Sequence, residues 1–227
     1  MAMDKRFLGI LSVIVVALVV IVGISQHHSG TNTPASSTSQ PTKHVEGQGQ
    51  AGVTLVEWGD YECPVCADYY QAVSQVFSQF SKQIYFQFSN LPLTQIHPNA
   101  FAAARAAEAA GAQGKYFQMH NQLYTHQDSW VSASDPKSFY ESYAKTIGLN
   151  VAQFDSDYTS DKVNSAINAD LAAFTKTGQQ MATPTFFLDG KYVSNESVVD
   201  PTTGQPSVAK FSSLINAEIA KVQAAKH

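Results

Sequence analysis

The sequence predicts an α/β domain whose sheet is interrupted by a block of helices and preceded by a transmembrane helix. Two apolar runs, at 53–58 and 84–88, have the composition of buried strands. The stretch from about 97 to 177 carries apolar residues at helical spacing, which indicates the inserted block. Residues 7–24 form an uncharged apolar run, which indicates the transmembrane helix.

The N-terminal run is predicted to anchor the chain in a membrane. It is just long enough to cross a bilayer core as a helix. Lys5 and Arg6 precede it and the next positive charge is Lys43, so the positive-inside rule predicts a cytoplasmic segment at 1–6 and an extracytoplasmic remainder. A cleavable signal peptide has a similar pattern and is the alternative, but no Ala-x-Ala cleavage site follows closely.

Residues 25–50 are predicted to be a disordered linker, and residues 51–227 the folded domain. The linker is rich in Ser, Thr, Gln, Gly and Pro, and it has too few large apolar side chains to offset the entropy of ordering. The domain has an ordinary globular composition, with 44% hydrophobic and 14% charged residues over the whole chain. The net charge of -4 and the lack of a basic run beyond the N-terminus argue against nucleic acid as a partner.

The first part of the domain, residues 53–88, is predicted to be a parallel crossover unit. The run at 53–58 alternates and then becomes apolar, as in a buried strand. Apolar residues from Tyr69 to Phe80 recur at three- and four-residue steps, which predicts an amphipathic helix. The run at 84–88 alternates like a second strand. A strand, a helix and a strand in this order form a right-handed parallel unit.

The predicted helical block begins at 99–112, where nine alanines strongly favour a helix and Pro98 suits its first turn. Three further segments have helical spacing, at 115–126, 136–147 and 161–177. The chain then returns to strands.

A hairpin and a helix are predicted to close the domain. Asp189-Gly190 separates two short apolar runs, at 183–188 and 191–193, and this dipeptide supplies the positive φ angles of a tight turn. Apolar residues on one face of 208–222 predict the last helix.

Cys63 and Cys66 are the only cysteines, and they are the predicted reactive groups. Cys63 follows a strand and opens a helix, where unpaired N–H groups and the helix dipole lower a thiol pKa. We therefore expect Cys63 to be the attacking and attacked sulfur and Cys66, more buried, to be the resolving one. Pro64 and Val65, which lie between them, are expected to set the reduction potential.

Two other interpretations of the cysteine pair are possible. A structural disulfide at this spacing closes so small a loop that it adds little stability. Half of a zinc site would need two more ligands, and the nearest histidine pair, His120 and His126, is more than fifty residues away.

Two further sites are expected to act with the cysteines. Glu57 lies on the otherwise apolar strand before Cys63, so its side chain is predicted to point inward, with a raised pKa, and to exchange a proton with Cys66. A solvent-facing glutamate is the alternative. Thr183-Pro184 precedes a strand, where we expect a cis proline, although a plain turn proline is also possible.

Three ordered motifs in the domain resemble the DsbA family of thiol-disulfide oxidoreductases, and more specifically its membrane-anchored bacterial branch. They are Val-Glu-Trp-Gly-Asp-Tyr-Glu-Cys-Pro-Val-Cys, Leu-Pro-Leu followed by His97-Pro98-Asn99-Ala100, and Thr-Pro-Thr-Phe-Phe-Leu-Asp-Gly-Lys. The resemblance implies a thioredoxin-like fold with a helical insertion. It also implies that the Thr183-Pro184 loop lies against the cysteine pair and offers backbone groups to an extended substrate. The family carries an acidic residue at the position of Glu57, which supports proton exchange between Glu57 and Cys66.

The resemblance further implies a function. The chain would be a membrane-tethered oxidase that donates the Cys63–Cys66 disulfide to exported proteins with free thiols, without a bound metal or cofactor. A quinone-linked membrane protein, DsbB-like or VKOR-like, would reoxidise it, and we expect a monomer. A His at the position of Val65 accompanies very oxidising relatives, so Val65 suggests a less extreme oxidant. A reductase or isomerase, or a noncatalytic substrate-binding scaffold, are the alternatives.

Three polar residues near the motifs are expected to have lesser roles. Asp60 and Glu62 flank Cys63 in the turn, where acids are mostly solvated. His97 is expected to cap or pack at the start of the alanine-rich helix.

Overall fold

A mixed sheet of five strands forms the centre of residues 40–226, the part of the chain that the computed structural model describes. Its strands are β1 His44–Gly47, β2 Val53–Gly59, β3 Ile84–Asn90, β4 Thr185–Leu188 and β5 Lys191–Val193. The order across the sheet is β1-β3-β2-β4-β5. Only the pair β2 and β3 is parallel, and the other three pairs are antiparallel.

The predicted segment at 1–6 and the predicted anchor at 7–24 lie outside the described residues. Within residues 40–226, no helix has the length and apolar character that a membrane span requires.

Helix α1, Pro64–Phe80, connects the two parallel strands, which confirms the predicted crossover unit. It buries Val73, Val76 and Phe80 at helical spacing. The helix begins five residues earlier than its apolar pattern predicted, at a proline. Proline suits this position because it has no N–H to lose and its φ angle is already helical.

Six helices separate β3 from β4 and form the predicted insertion. They are α2 Ala100–Gly111, α3 Tyr116–Thr125, α4 Gln127–Trp130, α5 Lys137–Thr146, α6 Val151–Tyr158 and α7 Asp161–Thr175. The alanines of α2 are almost all buried, and their small side chains let neighbouring helices approach closely. The sequence did not predict α4 or α6. Helix α6 begins where the Asn150 side chain accepts a hydrogen bond from the Gln153 N–H.

The end of the predicted linker is ordered, so the prediction of disorder across 25–50 is wrong for its last residues. Strand β1 pairs with β3 at the edge of the sheet. Just before it, the Thr42 backbone N–H and hydroxyl each donate to the buried Asp170 carboxylate at 2.6 Å. These partners are distant in sequence, so composition alone did not reveal them.

A hairpin and a helix close the domain as predicted. Strands β4 and β5 join through Asp189 and Gly190, which have φ angles of 48° and 75°. The Asp189 carboxylate also accepts a hydrogen bond from the Thr54 N–H at 2.7 Å, which ties the turn to β2. Helix α8, Val208–Ala224, buries Phe211, Ile215 and Ile219.

Candidate active site

Cys63 lies at the N-terminal cap of α1, four residues after β2 ends. Its backbone is extended, with φ -68° and ψ 120°, as expected for a residue before proline. Because Pro64 has no N–H, the first donors of the helix are the N–H groups of Val65 and Cys66. Pro64 and Val65 are exposed, and the Cys63 and Cys66 side chains are buried.

The structure brings Thr183 and Pro184 to the cysteine pair. Neither cysteine forms a disulfide, and the Cys63 Sγ lies 3.7 Å from the Thr183 carbonyl oxygen, to which it donates when it is protonated. The peptide bond between Thr183 and Pro184 is cis. Two segments 120 residues apart in sequence therefore meet at one sulfur.

The two thiols have opposite pKa shifts. The pKa of Cys63 is lowered to about 6, chiefly because the Cys66 side chain hydrogen-bonds to it, while burial opposes this shift. The pKa of Cys66 is raised, because the side chain is fully buried and because it donates to Cys63. At neutral pH Cys63 is thus mostly a thiolate and Cys66 a thiol.

Glu57 points into the interior from β2, as its position on an apolar strand predicts. It is 2% exposed, and within residues 40–226 its Oε1 has no hydrogen-bond partner. Burial, followed by the negative charge of Cys63, raises its pKa to about 8. The charge of Glu57 in turn helps to raise the pKa of Cys66, so the two groups interact.

Glu57 also lines a cavity of about 220 Å³, together with Glu46 and His120. A cavity of this size can hold several water molecules. The buried carboxyl therefore has a polar space beside it from which it can gain or lose a proton.

Asp60 is buried, contrary to the expectation that acids in this turn are solvated. It is 1% exposed. Its Oδ1 accepts from the Glu62 N–H at 2.8 Å, and its Oδ2 accepts from the Leu93 N–H at 2.8 Å and from His97 Nδ1 at 2.7 Å. These three donors take the place of the water molecules that would hydrate the carboxylate at an exposed position. Asp60 thus ties the loop after β3 to the turn before Cys63.

Glu62 is also buried against the start of the insertion. Its Oε2 accepts a hydrogen bond from the Asn99 N–H at 2.5 Å. His97, which was expected only to cap or pack at the helix start, also contacts the cysteine turn through its hydrogen bond to Asp60.

No sequence pattern predicted a role for Gln127, which nevertheless contacts the cysteine turn directly. Its Nε2 donates to the carbonyl oxygens of Tyr61 and Cys63, at 2.8 and 3.0 Å. Gln127 comes from α4, a helix too short to show a periodic pattern.

Three exposed apolar side chains belong to the cysteine motif or to segments that contact the cysteine turn. Val65 is 47% exposed, Ile96 69% and Met181 49%. Ile96 lies on the loop that Asp60 holds, and Met181 lies two residues before Thr183. The surroundings of Cys63 thus offer apolar surface to a bound chain.

No cluster of three or more His, Cys, Asp or Glu side chains suited to a metal ion occurs within residues 40–226.

A thioredoxin family model matches residues 39–217 of the chain. The chain belongs to the thioredoxin family. Solved structures share the fold of this thioredoxin domain. Alpha-DsbA1 from Wolbachia pipientis superposes with a TM-score of 0.66 at 19% identity, covering 84% of this chain and 98% of that one. BdbD from Bacillus subtilis gives 0.60 at 20% identity, covering 82% and 96%.

A third structure, the thiol-disulfide oxidoreductase MdbA from Actinomyces oris, gives a TM-score of 0.61 at 18% identity, covering 77% of this chain and 87% of that one. The three superpositions confirm the predicted thioredoxin-like fold with inserted helices, and membership of the membrane-anchored DsbA branch stays a prediction. At these identities the superpositions establish the fold of the thioredoxin domain.

Curated sequence relatives of the thioredoxin domain are Na(+)/H(+) antiporters. NhaA 1 of Mycobacterium sp. (strain KMS) is 40% identical over 150 residues, which cover 65% of this chain and 24% of the antiporter. NhaA 1 of Salinispora arenicola is 36% identical over 148 residues, covering 65% and 22%. The chain thus spans less than a quarter of the length of these relatives.

Proposed function

We propose that this thioredoxin-family protein is an extracytoplasmic thiol oxidase, which donates the Cys63–Cys66 disulfide to folding proteins. The observation that carries the proposal is the opposite pKa shift of two thiols three residues apart, next to the Thr183 carbonyl. A stabilised Cys63 thiolate favours the reduced enzyme, so the disulfide form is the stronger oxidant. It also makes Cys63 a good leaving group.

The proposed reaction moves two electrons from the substrate to the enzyme. A substrate thiolate attacks Cys63 Sγ, the bond to Cys66 breaks, and Cys66 leaves with the electron pair and takes up a proton. A second substrate thiolate then attacks the substrate sulfur of the mixed disulfide. Cys63 leaves as a thiolate, and the substrate is released with a disulfide.

Glu57 is proposed to supply the proton that Cys66 needs. Its pKa of about 8 keeps it protonated at neutral pH, while it remains within electrostatic reach of Cys66. When the enzyme is reoxidised, Glu57 can take the proton back. The cavity beside it provides the connection to solvent.

Substrate binding is proposed to combine backbone and apolar contacts. Thr183 is half-buried beside the reactive sulfur, where its backbone can pair with an extended segment of a substrate. Val65, Ile96 and Met181 would receive apolar side chains of an unfolded chain. Such contacts do not depend on one sequence, which suits an enzyme acting on many partners.

The location and the reoxidising partner follow from the sequence predictions. An anchor at 7–24, with 1–6 in the cytoplasm, would hold the domain on the outer face of the membrane. A quinone-linked membrane protein, DsbB-like or VKOR-like, would accept the electrons. Ion transport is a property of the antiporter relatives, and less than a quarter of their length aligns with this chain, so it forms no part of the proposal.

The test of this proposal is stoichiometric oxidation of a reduced peptide that contains two cysteines. The full chain, oxidised and purified in detergent, should convert one equivalent of peptide to its disulfide within seconds to minutes and gain two thiols. A protein that leaves the peptide reduced but, after its own cysteines have been reduced, transfers those two electrons to a disulfide-bonded peptide would be a reductase. A protein that binds the peptide without exchange would be a scaffold, and either result would overturn the oxidase proposal.

A further inference from the structure

The helical insertion holds the turn before Cys63 through its backbone carbonyls. The Gln127 amide donates to Tyr61 O and Cys63 O, and the Tyr124 hydroxyl donates to Asp60 O at 3.3 Å. Gln127 is only 7% exposed, so water does not compete freely for these carbonyls. Two adjacent helices of the insertion thus contact three carbonyls within four residues of the turn.

The orientation of these carbonyl groups affects the ionisation of the Cys63 sulfur. A carbonyl oxygen carries partial negative charge, and near a thiolate it opposes ionisation. The N–H groups of Val65 and Cys66 have the opposite effect, because they are the free donors at the start of α1. The orientation of the peptide planes around Cys63 therefore decides which dipoles the sulfur meets.

We propose that Gln127 is a positioning residue for Cys63. Its amide holds the Tyr61 and Cys63 carbonyls on the side of the insertion, and the first N–H groups of α1 remain directed at the sulfur. The insertion, which contributes no reacting atom, thereby sets the reactivity of the cysteine pair. This proposal rests on the proposed function only in taking Cys63 as the reactive thiol.

The test is a titration of the Cys63 thiolate by its absorbance near 240 nm, in the reduced full chain and without substrate. Gln127→Met keeps the approximate volume of the side chain but removes both donated hydrogen bonds. We expect the thiolate fraction at pH 6 to fall several-fold, with an increase of about one unit in the Cys63 pKa. The rate of Cys63 alkylation at that pH should fall in proportion.

Asn99 offers a matched control. Its side-chain amide also donates to two carbonyls of the insertion, Val131 O at 3.1 Å and Ala133 O at 3.0 Å, but neither belongs to the cysteine turn. Asn99→Leu keeps the backbone N–H that donates to Glu62 and removes only the side-chain hydrogen bonds. It should lose stability as Gln127→Met does, yet leave the Cys63 titration unchanged. Thermal unfolding of both variants separates the loss of stability from the shift in titration.

Two results would overturn the proposal. One is a Gln127→Met protein that titrates like the wild type, and the other is an Asn99→Leu protein with the same shift. If Gln127→Met does not fold, Gln127→Ala takes its place, with the same expected direction. Because no substrate is present, these results are independent of whether the protein acts as an oxidase.

Discussion

The two sides of the cysteine pair differ in what surrounds each sulfur. Cys63 lies at a helix start beside the Thr183 carbonyl, between exposed side chains, and its pKa is lowered to about 6. Cys66, one helical turn further, is fully buried with Glu57 nearby, and its pKa is raised. The difference shows how one short motif divides into an ionised sulfur beside the Thr183 loop and a protonated sulfur enclosed by the protein.

Replacing either cysteine should have the largest effect on thiol-disulfide exchange, and the two replacements should differ in the step that they block. Cys63→Ser should abolish exchange with a reduced peptide, because it removes the sulfur beside the Thr183 carbonyl and leaves only the fully buried Cys66. Cys66→Ser, loaded on Cys63 with a small mixed disulfide, should pass on that group but form no intramolecular disulfide. Mass spectrometry of acid-quenched reactions distinguishes these species, and equal behaviour of the two variants would show that the sulfurs are equivalent.

On the Cys66 side of the pair, replacing the buried Glu57 should increase the folding stability of the protein. Because the folded pKa of about 8 lies above the ordinary 4.5, the glutamate binds a proton more tightly when folded, and its cost to stability grows as the pH rises from 4.5 to 8. Glu57→Gln removes this cost, so the variant should be more stable by roughly 3 kcal/mol at pH 7 and about equally stable near pH 4.

Denaturant unfolding at both pH values measures this effect, and Glu196→Gln, at an exposed position, is the control. The same Glu57→Gln protein should reoxidise more slowly, because Cys66 lacks a proton acceptor. A variant that is less stable at pH 7 than the wild type would contradict a raised Glu57 pKa.

The Cys63 side should make the stability of the reduced protein depend on pH. Its folded pKa of about 6 lies below the ordinary 9.0, so the stabilisation is complete above pH 9 and is lost as the pH falls through 6. We expect about 1 kcal/mol at pH 7, because this pH lies only about one unit above the folded pKa. The free energy of unfolding of the reduced protein and of Cys63→Ser, measured at pH 5 and pH 7, tests this contribution. A difference between the two proteins that is the same at both pH values would refute it.

Asp60 should give the smallest effect on the pair. Its negative charge raises the pKa of Cys63, though it is the weakest of the named causes. Asp60→Asn should therefore lower the Cys63 pKa by less than about one unit, and it should cost about 1–3 kcal/mol because one buried acceptor is lost. Thiolate absorbance and thermal unfolding report the two effects separately, and a higher Cys63 pKa would be the contrary result.

The sequence predicted the parts of this site that depend on local pattern. The position of Cys63 at a helix start and the inward direction of Glu57 both follow from short-range periodicity. The burial of Asp60 was not predicted, because its donors Leu93 and His97 are more than thirty residues away in the sequence. A buried and a solvated acid look the same in a turn when the chain that covers it is unknown.

Strand β1 and Gln127 escaped prediction for the same reason. The strand has only four residues in a polar context, and the edge of β3 supplies the pairing that orders it. Gln127 lies on a four-residue helix, which carries no periodic signal. In both cases the ordering comes from tertiary partners, which outweigh local propensity.

The reduction potential of the Cys63–Cys66 pair tests the oxidase proposal most directly. The full chain is equilibrated with glutathione buffers at pH 7, and its free thiols are counted after alkylation. The lowered pKa of Cys63 stabilises the thiolate of the reduced protein, so we expect a potential above that of thioredoxin. A potential at or below that of thioredoxin, roughly -270 mV, would contradict the proposal and assign the protein to the reductases.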